Sequence, residues 1–235
     1  MKETKKIRVK VKKRKLKVKN LLLLILILIL LGNFVYYVLN IKIKNIYVLN
    51  NELISDRLII NNALLEDYPS YILTFSKRVE KNILKNNPYI KSVSVSKKKL
   101  GIYIYLVEYK KIAIYKDKIL LEDGSLQDNT YDVNYLPIII NDISNVYDYF
   151  VSSFTKVDDN ILTKISQINY DPNEVDKERF LLYMNDGNSV YITLSKITKL
   201  NKYDSIVSQM ENRNGIIYLD SGDYIELKWI FNSFL

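Results

Sequence analysis

The chain has 235 residues, enough for one or two small domains, and a formal net charge of +9. It contains no cysteine and no histidine, which excludes disulfides, Ser-His-Asp triads, Cys-His dyads and zinc sites built on those ligands. The first twenty residues hold eleven Lys or Arg and one Glu, leaving 24 basic and 25 acidic side chains in the other 215, and this argues against a nucleic-acid-binding domain, whose basic patch would lie within the fold.

Residues 1–20 form a basic tail in which KKIRVKVKKRKLKVK alternates apolar and basic residues. It reads as a topology signal held to anionic lipid headgroups, at about 1 kcal/mol per basic residue near the surface. Leu21 to Leu39, LLLLILILILLGNFVYYVL, follows without a charge. That length spans a hydrocarbon core at about 1.5 Å per residue, with Tyr36 and Tyr37 where interfacial aromatics belong. The run is long for a signal peptide and lacks a small-residue cleavage site, so an uncleaved single-pass anchor is expected. The positive charge before it predicts a cytoplasmic N-terminus and an outward C-terminal part.

Beyond the span, Ile41 to Val48 alternates as a strand, and Leu49-Asn50-Asn51 reads as a turn. Ser55 is a candidate N-cap for a helix carrying Leu58, Ile59, Ala63 and Leu64. Ser76 is a candidate cap for a second helix with Val79, Ile83 and Leu84, ending before Pro88. A hairpin comes next: Val93 and Val95 alternate with serines, and Ile102, Ile104 and Leu106 alternate with Tyr103, Tyr105 and Val107. The order strand, helix, helix, strand, strand packs two helices on one face of a three-stranded sheet.

That order resembles a POTRA domain, and the motifs resemble those of the FtsQ/DivIB family of bacterial cell-division proteins. The carrying residues are Ile46-Tyr47-Val48-Leu49-Asn50, Ser55 through Ile59, Pro88-Tyr89-Ile90-Lys91-Ser92-Val93-Ser94-Val95 and Glu108-Tyr109-Lys110-Lys111-Ile112-Ala113. Asn50 or Asn51 stands where the family has a turn glycine, Tyr109 where it has arginine, and Lys111 or Ile112 where proline is usual. The expected fold class is α+β: residues 41–110 a POTRA domain, residues 111–229 a mostly antiparallel β domain with helices, and residues 230–235 a short tail.

In the second domain, Ile112–Tyr115, Lys118–Leu121 and Leu136–Ile140 read as strands, and LLEDGSLQ is similar to the family's hairpin after the POTRA domain. Asp158 or Asp159 is a candidate cap for a helix bearing Ile161, Ile165 and Ile168. Asn185-Asp186-Gly187-Asn188 joins two strands as a hairpin. Ser195 is a candidate cap for a helix with Ile197, Leu200, Tyr203, Val207 and Met210, followed by a strand at Ile216–Leu219.

The ending, Tyr218 to Trp229, is similar to the family's terminal strands, which present a sheet edge to FtsB/DivIC acting with FtsL. The resemblance implies partner-binding residues Tyr224, Ile225, Glu226, Leu227 and Trp229. Trp229, the single tryptophan, is equally consistent with a core aromatic and an interface hot spot. The function expected is a non-enzymatic scaffold at the division septum that helps control septal peptidoglycan synthesis. It needs no cofactor or metal, and a septal penicillin-binding protein is a further expected partner. Two alternatives belong to other classes: an anchored POTRA protein for polypeptide secretion or chaperoning, and an anchored Ser-Lys peptidase. The paired carboxylates Glu122-Asp123 and Asp158-Asp159 fall at turns or caps, and no Ser sits in a nucleophile motif.

Overall fold

The computed structural model describes residues 18–211 and 213–227. Helix α1, Val18–Leu39, is 22 residues long and none of them is buried, giving roughly 33 Å at 1.5 Å per residue. It begins ahead of the apolar run, at Val18, because adding a residue to an existing helix is far easier than starting one. The Asn33 amide donates to the Ile29 carbonyl at 3.0 Å, so the one strongly polar side chain of the apolar run is satisfied within its own helix. Asn40 caps the far end, with both its backbone and side-chain N–H groups donating to Tyr36 O.

The first domain comprises β1 (Asn45–Leu49), α2 (Asp56–Asn62), α3 (Ser76–Asn86), β2 (Ile90–Lys98) and β3 (Gly101–Glu108). Its sheet order is β1-β3-β2, with β1 parallel to β3 and β2 antiparallel to it. Asn50 takes the left-handed conformation, φ 63°, and Ser55 accepts from Leu58 N as the α2 cap. Ser76 lies inside α3 instead; Phe75 precedes the helix and makes no side-chain cap. Ile102, Ile104 and Leu106 are buried and Tyr105 and Val107 exposed, as period-two alternation requires. Ile59, Ala63, Val79 and Ile83 cover them from the helices.

The second sheet has nine strands in the order β12-β11-β10-β9-β8-β7-β4-β5-β6. In chain order these are β4 (Lys111–Tyr115), β5 (Lys118–Leu121), β6 (Leu126–Asp128), β7 (Ile138–Ile139), β8 (Ile165–Tyr170), β9 (Arg179–Met184), β10 (Ser189–Thr193), β11 (Gly215–Tyr218) and β12 (Tyr224–Leu227). Helices α4 (Tyr147–Phe154), α5 (Asp159–Leu162) and α6 (Tyr203–Val207) and two 3-10 segments, Ser144–Val146 and Leu194–Lys202, complete the domain. Most neighbouring strands are antiparallel; the pairs β4/β7, β7/β8 and β10/β11 are parallel. Phe150, Phe154 and Phe180 form the aromatic centre of its core.

Two helix expectations are corrected. Ile165 and Ile168 lie in β8, not on a helix with Ile161, because α5 ends after a single turn. A β-bulge between Ile165 and Gln167 puts Ile165 and Ile168 on one buried face, so two strand residues acquire helix-like spacing. The segment after β10 is a 3-10 helix, and Ser195 lies within it. Its buried residues Leu194, Ile197 and Leu200, followed by Tyr203 at the start of α6, recur every third position, the 3-10 period rather than the α period.

The two cores meet at β4 and β5. Ile119 and Leu121 pack into the first core while Leu120, between them, packs into the second. Glu108, at the end of β3, accepts from the backbone N–H of Glu52 at 2.9 Å and Leu53 at 3.0 Å. It also pairs with Lys111 at 2.9 Å, with 4% and 7% of the two side chains exposed. Burial pushes its carboxyl up, but the hydrogen bonds from Glu52, Lys111 and Leu53 outweigh this and hold it below the ordinary 4.5.

Glu108→Ala leaves the buried Lys111 ammonium with only the exposed Glu52 carboxylate, at 3.8 Å, and the amides of Glu52 and Leu53 unpaired. A loss of about 3–5 kcal/mol is expected at neutral pH. A depressed carboxylate contributes its stability above its unfolded-state pKa and loses it as pH falls through the folded one. The gap between wild type and variant therefore narrows below the ordinary carboxylate range. Denaturant titration of the full chain in detergent at neutral and acid pH measures both effects; a gap independent of pH contradicts the assignment. At the β4–β5 turn, Lys116 and Asp117 both have positive φ, 51° and 62°, in an exposed two-residue loop that favours Asn-Gly. The double substitution Lys116→Asn, Asp117→Gly is expected to stabilise by roughly 0.5–1.5 kcal/mol, read as a higher thermal midpoint.

Candidate functional site

Tyr224, Ile225, Glu226 and Leu227 form β12, the terminal strand of the nine-stranded sheet. Trp229 lies outside the described residues. β12 pairs antiparallel with β11, Tyr224 opposite Tyr218 and Leu227 opposite Gly215. Among the described residues no strand covers its other side, so that side carries unpaired ladder groups. Tyr224 and Glu226 occupy one face, and the Tyr218 hydroxyl donates to Glu226 at 3.2 Å. Ile225 and Leu227 occupy the other; Tyr224 and Ile225 are exposed, and Leu227 packs against the core. Under that second face lies a groove of about 260 Å³ with Ile206, Ile217, Leu219 and Ile225 as its apolar lining.

Three features hold the edge in place. The first is an aromatic ladder across strands: Tyr191 stacks on Tyr218 at 5.3 Å, and Tyr218 on Tyr224 at 4.4 Å. Its inner end carries the Arg179 guanidinium, 3.8 Å from the Tyr191 ring centre, in a cation–π contact. Arg179 is itself clamped by Asp171 at 2.5 Å and Asp220 at 2.8 Å. Burial pushes the Asp220 carboxyl up, but Arg179 and Ser221 outweigh it and the pKa is lowered. The second feature is the turn between β11 and β12, fastened by Lys196 to the Asp220 carbonyl and by Lys199 to Asp223. The Lys196 ammonium is thus already engaged in a structural bond rather than directed at Ser195.

The third is Gly215. Its N–H donates to Asn188 Oδ1 at 2.9 Å, Asn188 donates to the Tyr203 hydroxyl, and Tyr203 donates to Asp186. Burial, then Asp186, drives the Tyr203 hydroxyl pKa upward, which keeps it a proton donor. A Cβ on Gly215 would lie 2.5 Å from the Glu226 carbonyl oxygen, so only glycine allows β12 to lie at ladder distance here. Of the ladder residues only Tyr224 emerged from the sequence; Tyr191, Tyr218, Arg179 and the steric role of Gly215 did not. With twenty tyrosines in the chain, only the strand register singles out Tyr191 and Tyr218.

A further cleft, about 460 Å³, sits at the junction of the two domains. Its charges are already matched: Lys110 with Asp159, Lys111 with Glu108, and Glu122 with Lys91. No cluster of three metal-ligating side chains occurs among the described residues.

Gly215→Ala is expected to push β12 away from β11 while the rest of the sheet persists. Amide hydrogen exchange of Tyr224–Leu227 should accelerate at least about tenfold, equivalent to about 1.4 kcal/mol of lost local stability, with β8 and β9 unchanged. Unaltered exchange in β12 refutes the steric role of Gly215.

Residues 41–109 match the family model described as POTRA domain, FtsQ-type. The cell division protein DivIB of Brevibacillus brevis is 30% identical over 184 residues, covering 72% of this chain and 68% of that protein. DivIB of Bacillus subtilis is 29% identical over 194 residues, covering 79% of this chain and 74% of that protein. The solved major extracytoplasmic domain of DivIB from Geobacillus stearothermophilus, in its trans isomer, aligns with a TM-score of 0.37 at 22% identity, over 45% of this chain and 96% of that one. At the level of identity and coverage seen with the Brevibacillus protein, this chain belongs to the DivIB family of cell division proteins.

Proposed function

We propose that this chain is a bitopic scaffold of the division machinery that binds FtsB/DivIC-type and FtsL-type membrane proteins through β12. Through them it helps control septal peptidoglycan synthesis, with a septal penicillin-binding protein as a further partner. The observation that carries this reading is the edge itself. Four residues of strand lie open along one side among the described residues, with exposed Tyr224 and Ile225 above a groove. Strand addition to such an edge takes its affinity from main-chain hydrogen bonds and its specificity from pockets beside the strand.

The rest of the chain serves that contact. Helix α1 has the length and apolarity of a membrane span, and the basic tail before it favours a cytoplasmic N-terminus with the folded domains outside. Anchoring confines the protein and its membrane partners to one surface, which raises their effective concentration. Residues 41–110 and 111–229 act as a membrane-proximal domain and a partner-binding domain. The expected place of action is the septum.

The test is co-purification of the anchored protein from its native host, with wild type beside Tyr224→Lys and Trp229→Ala. Small coiled-coil division proteins are expected with wild type. Their recovery should fall about tenfold or more with Tyr224→Lys, corresponding to about 1.4 kcal/mol, while hydrogen exchange shows both variants folded. Equal recovery with all three moves the contact off β12. Recovery of secretion factors in place of division proteins overturns the divisome assignment.

A further inference from the structure

The loop between α2 and α3 carries a surface that partner binding at β12 does not use. Leu64, Tyr68, Ile72, Leu73 and Phe75 are each between 43% and 66% exposed. One exposed leucine needs no explanation; five large apolar side chains within one loop do. The loop's position in the fold says what covers them. Tyr71 N donates to Ile41 O at 2.7 Å, Ile43 N donates to Pro69 O at 3.1 Å, and Lys42 bridges to Ser70. Helix α1 ends at Leu39, and the amides of Asn40 and Ile41 still bond to its last turn. Lys42 is therefore at most about 11 Å of extended chain from the end of α1. The loop is stitched to the residues that leave the span.

Basic side chains gather at the same end. The β2–β3 turn is brought there by Lys44 N, which donates to Leu100 O at 2.9 Å. Lys97 reaches the carbonyls of Tyr71 and Thr74 and lies 4.2 Å from the Tyr71 ring centre. Lys98 and Lys99 project from that turn, and Lys42 and Lys44 flank the loop, all four exposed. Lys77 and Arg78 open α3; Glu66 and Asp67 are the acidic residues of the loop, so this end is net basic.

We propose that this loop docks into the leaflet from which α1 emerges. Ile72, Leu73 and Phe75 enter the boundary between headgroups and acyl chains, and the lysines meet anionic headgroups. Apolar and aromatic side chains beside basic ones are the composition that partitions to such an interface. The inference rests on α1 spanning the membrane. Its consequence is a second point of attachment, which fixes the tilt of the first domain where α1 alone leaves it free to swing.

The test uses the full chain with Trp229→Phe as background and single tryptophans introduced as Phe75→Trp, Leu30→Trp or Tyr183→Trp. Each protein is reconstituted in phosphatidylethanolamine–phosphatidylglycerol vesicles whose acyl chains carry bromine either near the headgroup or near the bilayer centre. Leu30→Trp reports the span and should be quenched by the deep bromines. Phe75→Trp should be quenched severalfold more by the shallow bromines than by the deep ones, and Tyr183→Trp by neither. Adding Ile72→Asp and Leu73→Asp should abolish the quenching of Phe75→Trp; both sites are exposed, so the fold is expected to survive. Quenching of Leu30→Trp without quenching of Phe75→Trp overturns loop docking and leaves the span intact. If Leu30→Trp is also unquenched, the span falls and the proposal with it. A blue-shifted but unquenched Phe75→Trp shows the loop covered by protein and overturns the lipid assignment.

Discussion

The Glu108 carboxylate is the interaction on which the arrangement of the folded part depends. It stands at the end of the central strand of the first sheet, accepts the amides that lead into α2, and pairs with Lys111 at the start of the second sheet. A carboxylate buried there without those donors would cost several kcal/mol. With them it ties three chain segments at one point, and the first core closes over β5 through Ile119, Leu121, Val133 and Leu136. Tyr89 adds a hydrogen bond across the same junction, to the Asp128 carbonyl. The junction is thus part of a core, a stiffer arrangement than a flexible linker.

A stiff junction would let the second sheet act as a spacer. Its β4–β5–β6 end is fused to the first domain and β12 forms the opposite end. Seven strand-to-strand steps separate β5 from β12, roughly 30–35 Å at about 4.8 Å per step. A partner strand on β12 would be held at a set distance and orientation from the end of α1. The Arg179–Tyr191–Tyr218–Tyr224 ladder runs along the last four strands, so a force on the edge is passed to Asp171 and Asp220 rather than to one ladder of hydrogen bonds.

Where local chemistry dominates, the sequence was legible. Ile102, Ile104 and Leu106 alternate because one face of β3 is buried, Asn50 turns because Asn tolerates positive φ, and Ser55 caps because α2 has open amides. Periodicity misled where an irregularity changed the period. The β8 bulge gave Ile165 and Ile168 a helical spacing, and the 3-10 segment was read on an α template although its buried residues recur in threes. The strand position of Tyr224–Leu227 followed from the family resemblance. The ladder behind it did not, because Tyr191 and Tyr218 meet only through a parallel pairing across 27 residues of chain. The steric role of Gly215 was silent because its approach to Glu226 depends on the register of the β11–β12 hairpin.

An open strand edge also invites self-association, and this one is restrained in recognisable ways. It carries Glu226, and the turn leading into it is pinned by the Lys199–Asp223 pair. A charge on the edge is one of the usual means by which a sheet avoids indiscriminate pairing. Anchoring supplies a further restraint, because copies held to one surface meet in restricted orientations. A partner strand must then supply something that a second copy of the edge lacks. The side chains of β12 point to what that is: an apolar residue to enter the groove beside Ile225, and a basic one to meet Glu226. A second β12 in a register that sets Glu226 opposite Glu226 would make a like-charge contact, which disfavours that self-pairing. The features that keep the edge from pairing with itself are therefore the ones that would select its partner.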